Sequence, residues 1–435
     1  MQTMLGADSS GGRSERRVYH REMPEPADSP RSEPPGPLLG LRVLAAEQMQ
    51  ALPYATQLLA FLGAEVVKIE PPGAGESGRG ARPALRDDDG RIVGATYLRN
   101  NLNKRSVAID LKRPEGLALV HRLVPRFDVF AENWRPGTAE RLGLGYPTLA
   151  ALHPGLVYAS VSGFGELGGS PWAERPAYSS VVEAMGGLYE LMREPGDPTR
   201  VGSAGALGDI GAALFATVGV LAALRERDRT GTGRRVDVAM YDAVVALLDL
   251  APFMWSMGVP RMRRADVAGV FDVFACRDGR FVAQAVREHQ LERFARVVGH
   301  PEWLGDQRFA TREGWTAQLE PVVRPAVEAW ARDKGMAEAT ALLAEAGIPC
   351  GASHAPEDLV RDQHLRRHEM LLEVERPDGG PPLLVTGNPV KLSGAGPTPR
   401  RRWPTLGQHT DAVLGAELGL GPSELAELRA KGVIG

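Results

Sequence analysis

From Gly40 onward, short apolar runs alternate with segments whose apolar residues recur at helical spacing. LRVLAA (41–46) reads as a buried strand. PYATQLLAFLG (53–63) predicts a helix, with Pro53 near its start and Gly63 at its end. AEVVKIE (64–70) predicts a second strand, parallel to the first through a right-handed crossover. The alternation continues: strand SVAIDL (106–111), helix PEGLALVHRLVP (114–125), strand DVFAEN (128–133), short helices in AERLGL and YPTLAAL, and strand GLVYASVSG (155–163). Such alternation implies an α/β fold, a mostly parallel, Rossmann-like sheet with helices on both faces.

A nearly all-apolar helix is expected over 210–227, beginning just after Gly208 and Asp209 and ending before a Gly-Thr-Gly turn. RRVDVAMYDAVVALLDLAPFM then reads as a strand leading into a helix. VFDVFACRDGRFVAQAV (270–286) predicts a hairpin around Arg277-Asp278-Gly279. LERFARVVG and PAVEAWARDKGMAEATALLAEAG read as helices. Further short strands and a helix near 409–419 follow. The expected organisation is a large domain over 37–234, a smaller inserted α+β domain over 235–340, and a return to the large domain over 341–435.

Residues 1–36 break the pattern. They are polar, rich in Ser, Pro, Arg and Glu, and carry no apolar core segment, so they read as a disordered extension rather than a leader peptide. Met23 is an alternative start to Met1. With 435 residues the chain is long enough for two domains or more. A net charge of -3 gives no general attraction for nucleic acid or an anionic membrane. Two cysteines build no disulfide framework, and their spacing fits no zinc site. Apolar runs of about ten residues fall short of the roughly 20 needed to cross a bilayer. The expected setting is a cytoplasmic enzyme with no nucleic-acid or membrane partner and no metal.

Familiar cofactor motifs are missing. There is no GxxxxGK[ST], no HExxH and no GxSxG, and the first strand is followed by EQMQALP in place of GxGxxG. GAGESGRG (73–80) is expected to be a flexible surface loop. Lys104, Arg105, Lys112 and Arg113 read, on spacing alone, as surface cations.

Asp209 is the leading candidate. Taken alone, an aspartate at such a position caps its helix. Small neighbours (Gly205, Ala206, Gly208, Gly211, Ala212) are expected to leave room for a bulky ligand, and free N–H groups at the helix start are expected to hold a developing oxyanion. That setting suits a carboxylate nucleophile. A second cluster, Asn133, Arg135 and Arg141, falls where a strand gives way to a helix, and ligands of parallel sheets sit at such strand ends. The arginine fork suits phosphate.

Several segments together resemble the family III CoA-transferases, the group that includes formyl-CoA transferase and the carnitine CoA-transferase. They are LPYATQLLAFLGAEVVKIE, NKRSVAIDLKRPEG, ENWRPGTAERLGLGY, HPGLVYASVSGFG, RVGSAGALGDIGAALFATVGVLAALRERDRTGTGRRVDVAMYDAVVALL, AGIPCG, PEDLVRDQHLRRHEMLLEVERPDGG and LGQHT, in order from about residue 40 to 415. The resemblance implies a catalytic aspartate at Asp209, a coenzyme A contact from Gln50, a basic residue near the nucleotide end of coenzyme A at Lys112, and further contacts at Asn133, Trp134 and Arg141. It also implies an intertwined homodimer. The chain departs from some relatives at Pro71, where they carry a CoA-binding arginine. It departs again at Ser179, where formyl-CoA transferase has glutamate, and it lacks a GGGG loop after residue 250. These departures point away from a formyl or oxalyl substrate.

The expected reaction moves coenzyme A from an acyl-CoA to a carboxylic acid acceptor through a covalent aspartyl intermediate. Acyl-CoA racemases of the same family are the first alternative; they pair the equivalent aspartate with a histidine in a segment like RAGHD. Here the segment reads RPAYSS, with Tyr178 at the histidine position, and tyrosine (pKa about 10) is a poor base near neutrality. A non-catalytic CoA-binding protein is the second.

Overall fold

The computed structural model describes residues 36–193, 196–202, 205–259, 267–393 and 402–435. The expected extension over 1–36, with Met23, therefore lies almost wholly outside the described residues.

Six parallel strands form the main sheet: β1 (Arg42–Ala46), β2 (Glu65–Glu70), β3 (Lys104–Ala108), β4 (Val129–Glu132), β5 (Val157–Ser162) and β6 (Arg235–Ala239). Their order is β3-β2-β1-β4-β5-β6. The order reverses between β1 and β4, and a doubly wound sheet opens its ligand crevice there, beyond the carboxyl ends of the strands. The central strands β1, β4 and β5 are buried on both faces, which is why they read as near-continuous apolar runs. One apolar cluster packs the helices Ala51–Phe61 and Leu207–Thr230 on one face; the other face holds Leu119, Val120, Phe127, Leu414 and Val433.

The helix Leu207–Thr230 runs 24 residues, longer than expected, and is apolar enough by length and composition to cross a membrane. Between Asp209 and Arg225 the helix carries no charged residue, so the expected apolar runs of about ten residues understated it. Half of its most apolar stretch is buried inside the fold, with Ala212, Ala213, Ala216 and Val220 in the core. Leu214, Phe215 and Val218 stay exposed.

A three-stranded antiparallel sheet is built from Val270–Cys276, Gly279–Ala285 and Cys350–Ala352, with its own apolar cluster of Phe274, Phe281, Phe294, Trp303 and Trp315. The expected boundaries shift accordingly. Arg235–Ala239 pairs with β5 in the large sheet, so residue 235 is no division. Cys350–Ala352 pairs with Phe281–Ala283, so the smaller unit continues past 340. The single helix expected over 325–347 is two, Arg324–Ala331 and Met336–Glu345, parted at Gly335.

GAGESGRG is not a loose surface loop. Glu76 and Arg79 are 5% and 4% exposed. Arg79 makes a two-pronged ion pair with the buried Glu70 at 2.6 and 2.7 Å. Lys104, expected at the surface, is also buried, 2.7 Å from Glu47. Lys68 Nζ joins them, 3.2 Å from Glu76.

Candidate active site

The loops after β1, β4 and β5 and the start of the Leu207 helix surround a cleft of about 160 Å³. Gln48–Ala51 follow β1, Asn133–Pro136 follow β4, and Val161–Gly163 end β5. Arg175, Tyr178, Asp209 and Met240 complete the wall. The cleft thus opens at the reversal point of the sheet.

The buried charges beneath hold its rim. Glu76 Oε2 accepts from the Met49 N–H at 3.0 Å, and Met49 sits in the left-handed region (φ 61). Asn133 clamps Gln48 from the other side: the Gln48 N–H donates to Asn133 Oδ1, and Asn133 Nδ2 donates to the Gln48 carbonyl, both at 2.9 Å. Both ends of that amide therefore serve the β1 loop.

Asp209 lies in the first turn of its helix and does not cap it. The cap position is Ala206, with no side-chain bond. The helix start is covered instead by the short helix Ser179–Met185. Glu183 Oε1 accepts from the Gly208 N–H at 3.0 Å, and Ser179 Oγ accepts from the Asp209 N–H at 3.2 Å. The Ile210 N–H bonds to the Ala206 carbonyl. The free donors expected here are therefore taken, and no oxyanion hole forms from these three N–H groups.

Gly208 and Gly211 are likewise used for packing. A Cβ at Gly208 would meet Val182 at 2.8 Å and Ser179 Oγ at 2.9 Å; one at Gly211 would meet Leu247 at 2.6 Å. They admit neighbouring helices rather than a ligand.

The Asp209 carboxylate itself hydrogen-bonds to no described residue and is half-buried on the cleft. Burial, with the negative charge of Glu183 second, pushes its pKa up to about 6. A carboxylate raised in this way is ionised at neutral pH, yet more basic and less solvated than an ordinary aspartate.

Five of the seven expected site residues meet at this cleft: Asp209, Gln50, Asn133, Trp134 and Arg135. Lys112 and Arg141 do not line it; both are exposed, and Arg141 donates to Thr138 Oγ1 at 2.8 Å. Arg175, Glu183 and the hydroxyl of Ser179 were not assigned a role in advance. A glutamate inside the run SSVVEAM, four residues after Ser179, was the available signal, because that spacing places both on one helical face. Among the described residues no group of three or more His, Cys, Asp or Glu is placed to hold a metal ion.

The sheet order and a cleft at its reversal point that carries the Asp209 carboxylate define an α/β protein with a ligand crevice at the carboxyl ends of its strands. The model of CoA-transferase family III matches residues 38–410. A succinyl-CoA–D-citramalate CoA-transferase of Chloroflexus aurantiacus is 36% identical, over 92% of this chain and 99% of its own length. A formyl-CoA:oxalate CoA-transferase of Streptomyces avermitilis is 35% identical, over 91% and 99%. The crystal structure of a CAIB/BAIF family protein from Brucella suis superposes with a TM-score of 0.78 at 28% identity, over 88% of this chain and all of that one. The chain belongs to CoA-transferase family III.

Proposed function

We propose that this enzyme transfers coenzyme A between carboxylic acids through a covalent intermediate on Asp209. The observation that carries the reading is the Asp209 carboxylate: unbonded among the described residues, raised in pKa, and set on the cleft at the reversal point of the sheet.

An Asp209 oxygen attacks the thioester carbonyl carbon of the donor. The C–S bond breaks, coenzyme A leaves as thiolate, and a mixed anhydride remains. The thiolate then attacks the aspartyl carbonyl, the donor acid departs as carboxylate, and an aspartyl thioester forms. The acceptor carboxylate attacks that thioester, and the returning thiolate captures the new acyl group and frees Asp209. Each covalent stage replaces one difficult exchange by an easier one.

Gln50, Trp134 and Arg135 on the cleft, and Asn133 through its hold on Gln48, shape the path of the thioester arm. Lys112 and Arg141, exposed outside it, suit the phosphates of the nucleotide end. Coenzyme A is thus carried as substrate. Two guanidinium groups, Arg135 and Arg175, line the same cleft as Asp209. They favour an acid with a second carboxylate, as do the relatives acting on succinyl-CoA. Among the described residues no histidine lines the cleft, which supports transfer over proton exchange at an α-carbon.

The exposed face of Leu214, Phe215 and Val218, and the exposed Phe253 (60%) and Trp255 (70%), support a homodimer in which the chains intertwine. A screen of purified enzyme with acyl-CoA donors against mono- and dicarboxylic acceptors, read by mass spectrometry, tests the function. Exchange of coenzyme A onto dicarboxylates is expected, and no exchange with any pair overturns it.

A further inference from the structure

Glu183 is 4% exposed and receives three donors. Ser179 Oγ donates to its Oε1 at 2.5 Å, and the Gly208 N–H reaches the same oxygen at 3.0 Å. Tyr189 Oη donates to Oε2. Ser179 in turn accepts from the Asp209 N–H, so one hydroxyl ties the two acidic residues together. The positive end of the Leu207 helix is thereby directed at Glu183, while Asp209, in the same first turn, keeps a carboxylate that bonds to no described residue and lines the cleft.

We propose that Glu183 is the positioning residue of the transfer reaction: it takes the donors at the helix start and, as a fixed neighbouring anion, keeps Asp209 free of them and strongly nucleophilic. This rests on the reading of Asp209 as the nucleophile. Hydrogen bonds hold Glu183 below the ordinary carboxylate range despite its burial, so it stays ionised while Asp209 titrates. Among the described residues, the other charged or titratable groups that line the cleft with Asp209 are Arg135, Arg175 and Tyr178. Tyr54 on the helix Ala51–Phe61, and Tyr241 with the exposed Asp242 on the helix Met240–Leu247, come from elements packed on the same long helix.

The test is Glu183→Gln, which keeps shape and removes charge. With the like charge gone, the Asp209 pKa falls, so the acidic limb of kcat against pH should move down by roughly half a unit. At pH 7.5 kcat should fall about threefold or more while KM for the acyl-CoA stays within about twofold. A merely structural glutamate would lower thermal stability and leave the limb in place, and that result overturns the proposal. Should Glu183→Gln fail to fold, Ser179→Ala decides. It cuts the link but keeps the charge, so kcat should fall about threefold with an unmoved limb, and parental kcat overturns the proposal. Hydroxylamine trapping on the parent separates the two readings. No adduct at Asp209 defeats the nucleophile itself, whereas an adduct with an unmoved limb in Glu183→Gln defeats only the role of Glu183.

Discussion

Lys104 Nζ stands 2.7 Å from Glu47 Oε1, and solvent reaches neither side chain. Thr56 Oγ1 donates to the other Glu47 oxygen at 2.7 Å, and Lys68 stands 3.8 Å from the first. Lys104→Met should therefore destabilise the protein by about 3 kcal/mol, the lower part of the range for breaking a buried pair, because Lys68 still faces the stranded Glu47. Urea unfolding measures it. A loss under about 1 kcal/mol would mean that the pair is hydrated and the β1 loop is held by other contacts.

Glu132 ends β4 immediately before Asn133, and it carries a different electrostatic load. Burial, with the charge of Glu166 adding, pushes its pKa up to about 8, although the Trp134 N–H donates to it at 2.9 Å. Its folded pKa stands above its unfolded one, so the folded state binds more protons between pH 4.5 and 8. Its contribution to stability is complete below that window and is lost as pH rises through it. Glu132→Gln should match the parent near pH 5 and become more stable by on the order of 2 kcal/mol by pH 8. Thermal melts across that range check the sign; an advantage that shrinks with pH contradicts it.

These buried charges mark the limit of what the sequence discloses. The apolar runs 41–46, 64–70 and 155–163 declare themselves because both faces of a central parallel strand are covered. A lysine whose partner lies 57 residues away carries no such local mark, so Lys104 and Arg79 read as solvated. The expected cleft residues Gln50 and Trp134 came through resemblance, and Asn133 and Arg135 from their place at a strand end. Glu183 stayed hidden because the helix Ser179–Met185 has only seven residues, too short for its period to show. The glycines flanking Asp209 were legible as close-approach positions. What approaches them, Val182 and Leu247, depended on which helices pack there.

The exposed apolar residues of the Leu207 helix and of 247–257 lead to an expectation about assembly. Leu247, Leu250, Phe253, Trp255 and Met257 are 48–70% exposed, and so much apolar surface marks an interaction face. Light scattering at micromolar concentration should report a dimer. A monomer alone would count against chains that intertwine.

Asp209 separates the possible chemistries. As a nucleophile it must be ionised, and its pKa of about 6 places the acidic limb of the rate near pH 6, below which kcat should fall about tenfold per unit. Incubation with a competent acyl-CoA should leave an adduct that hydroxylamine converts to a hydroxamate, seen as a mass shift on the peptide containing GALGDIGAALF. Asp209→Asn keeps the shape and removes the nucleophile. It should abolish transfer by about a thousandfold or more while coenzyme A still binds. An isomerase would instead exchange the α-hydrogen of its substrate with deuterium from solvent and form no adduct; a binding protein would do neither. Parental transfer by Asp209→Asn, with deamidation back to aspartate excluded by mass, would end the case for a covalent aspartyl intermediate.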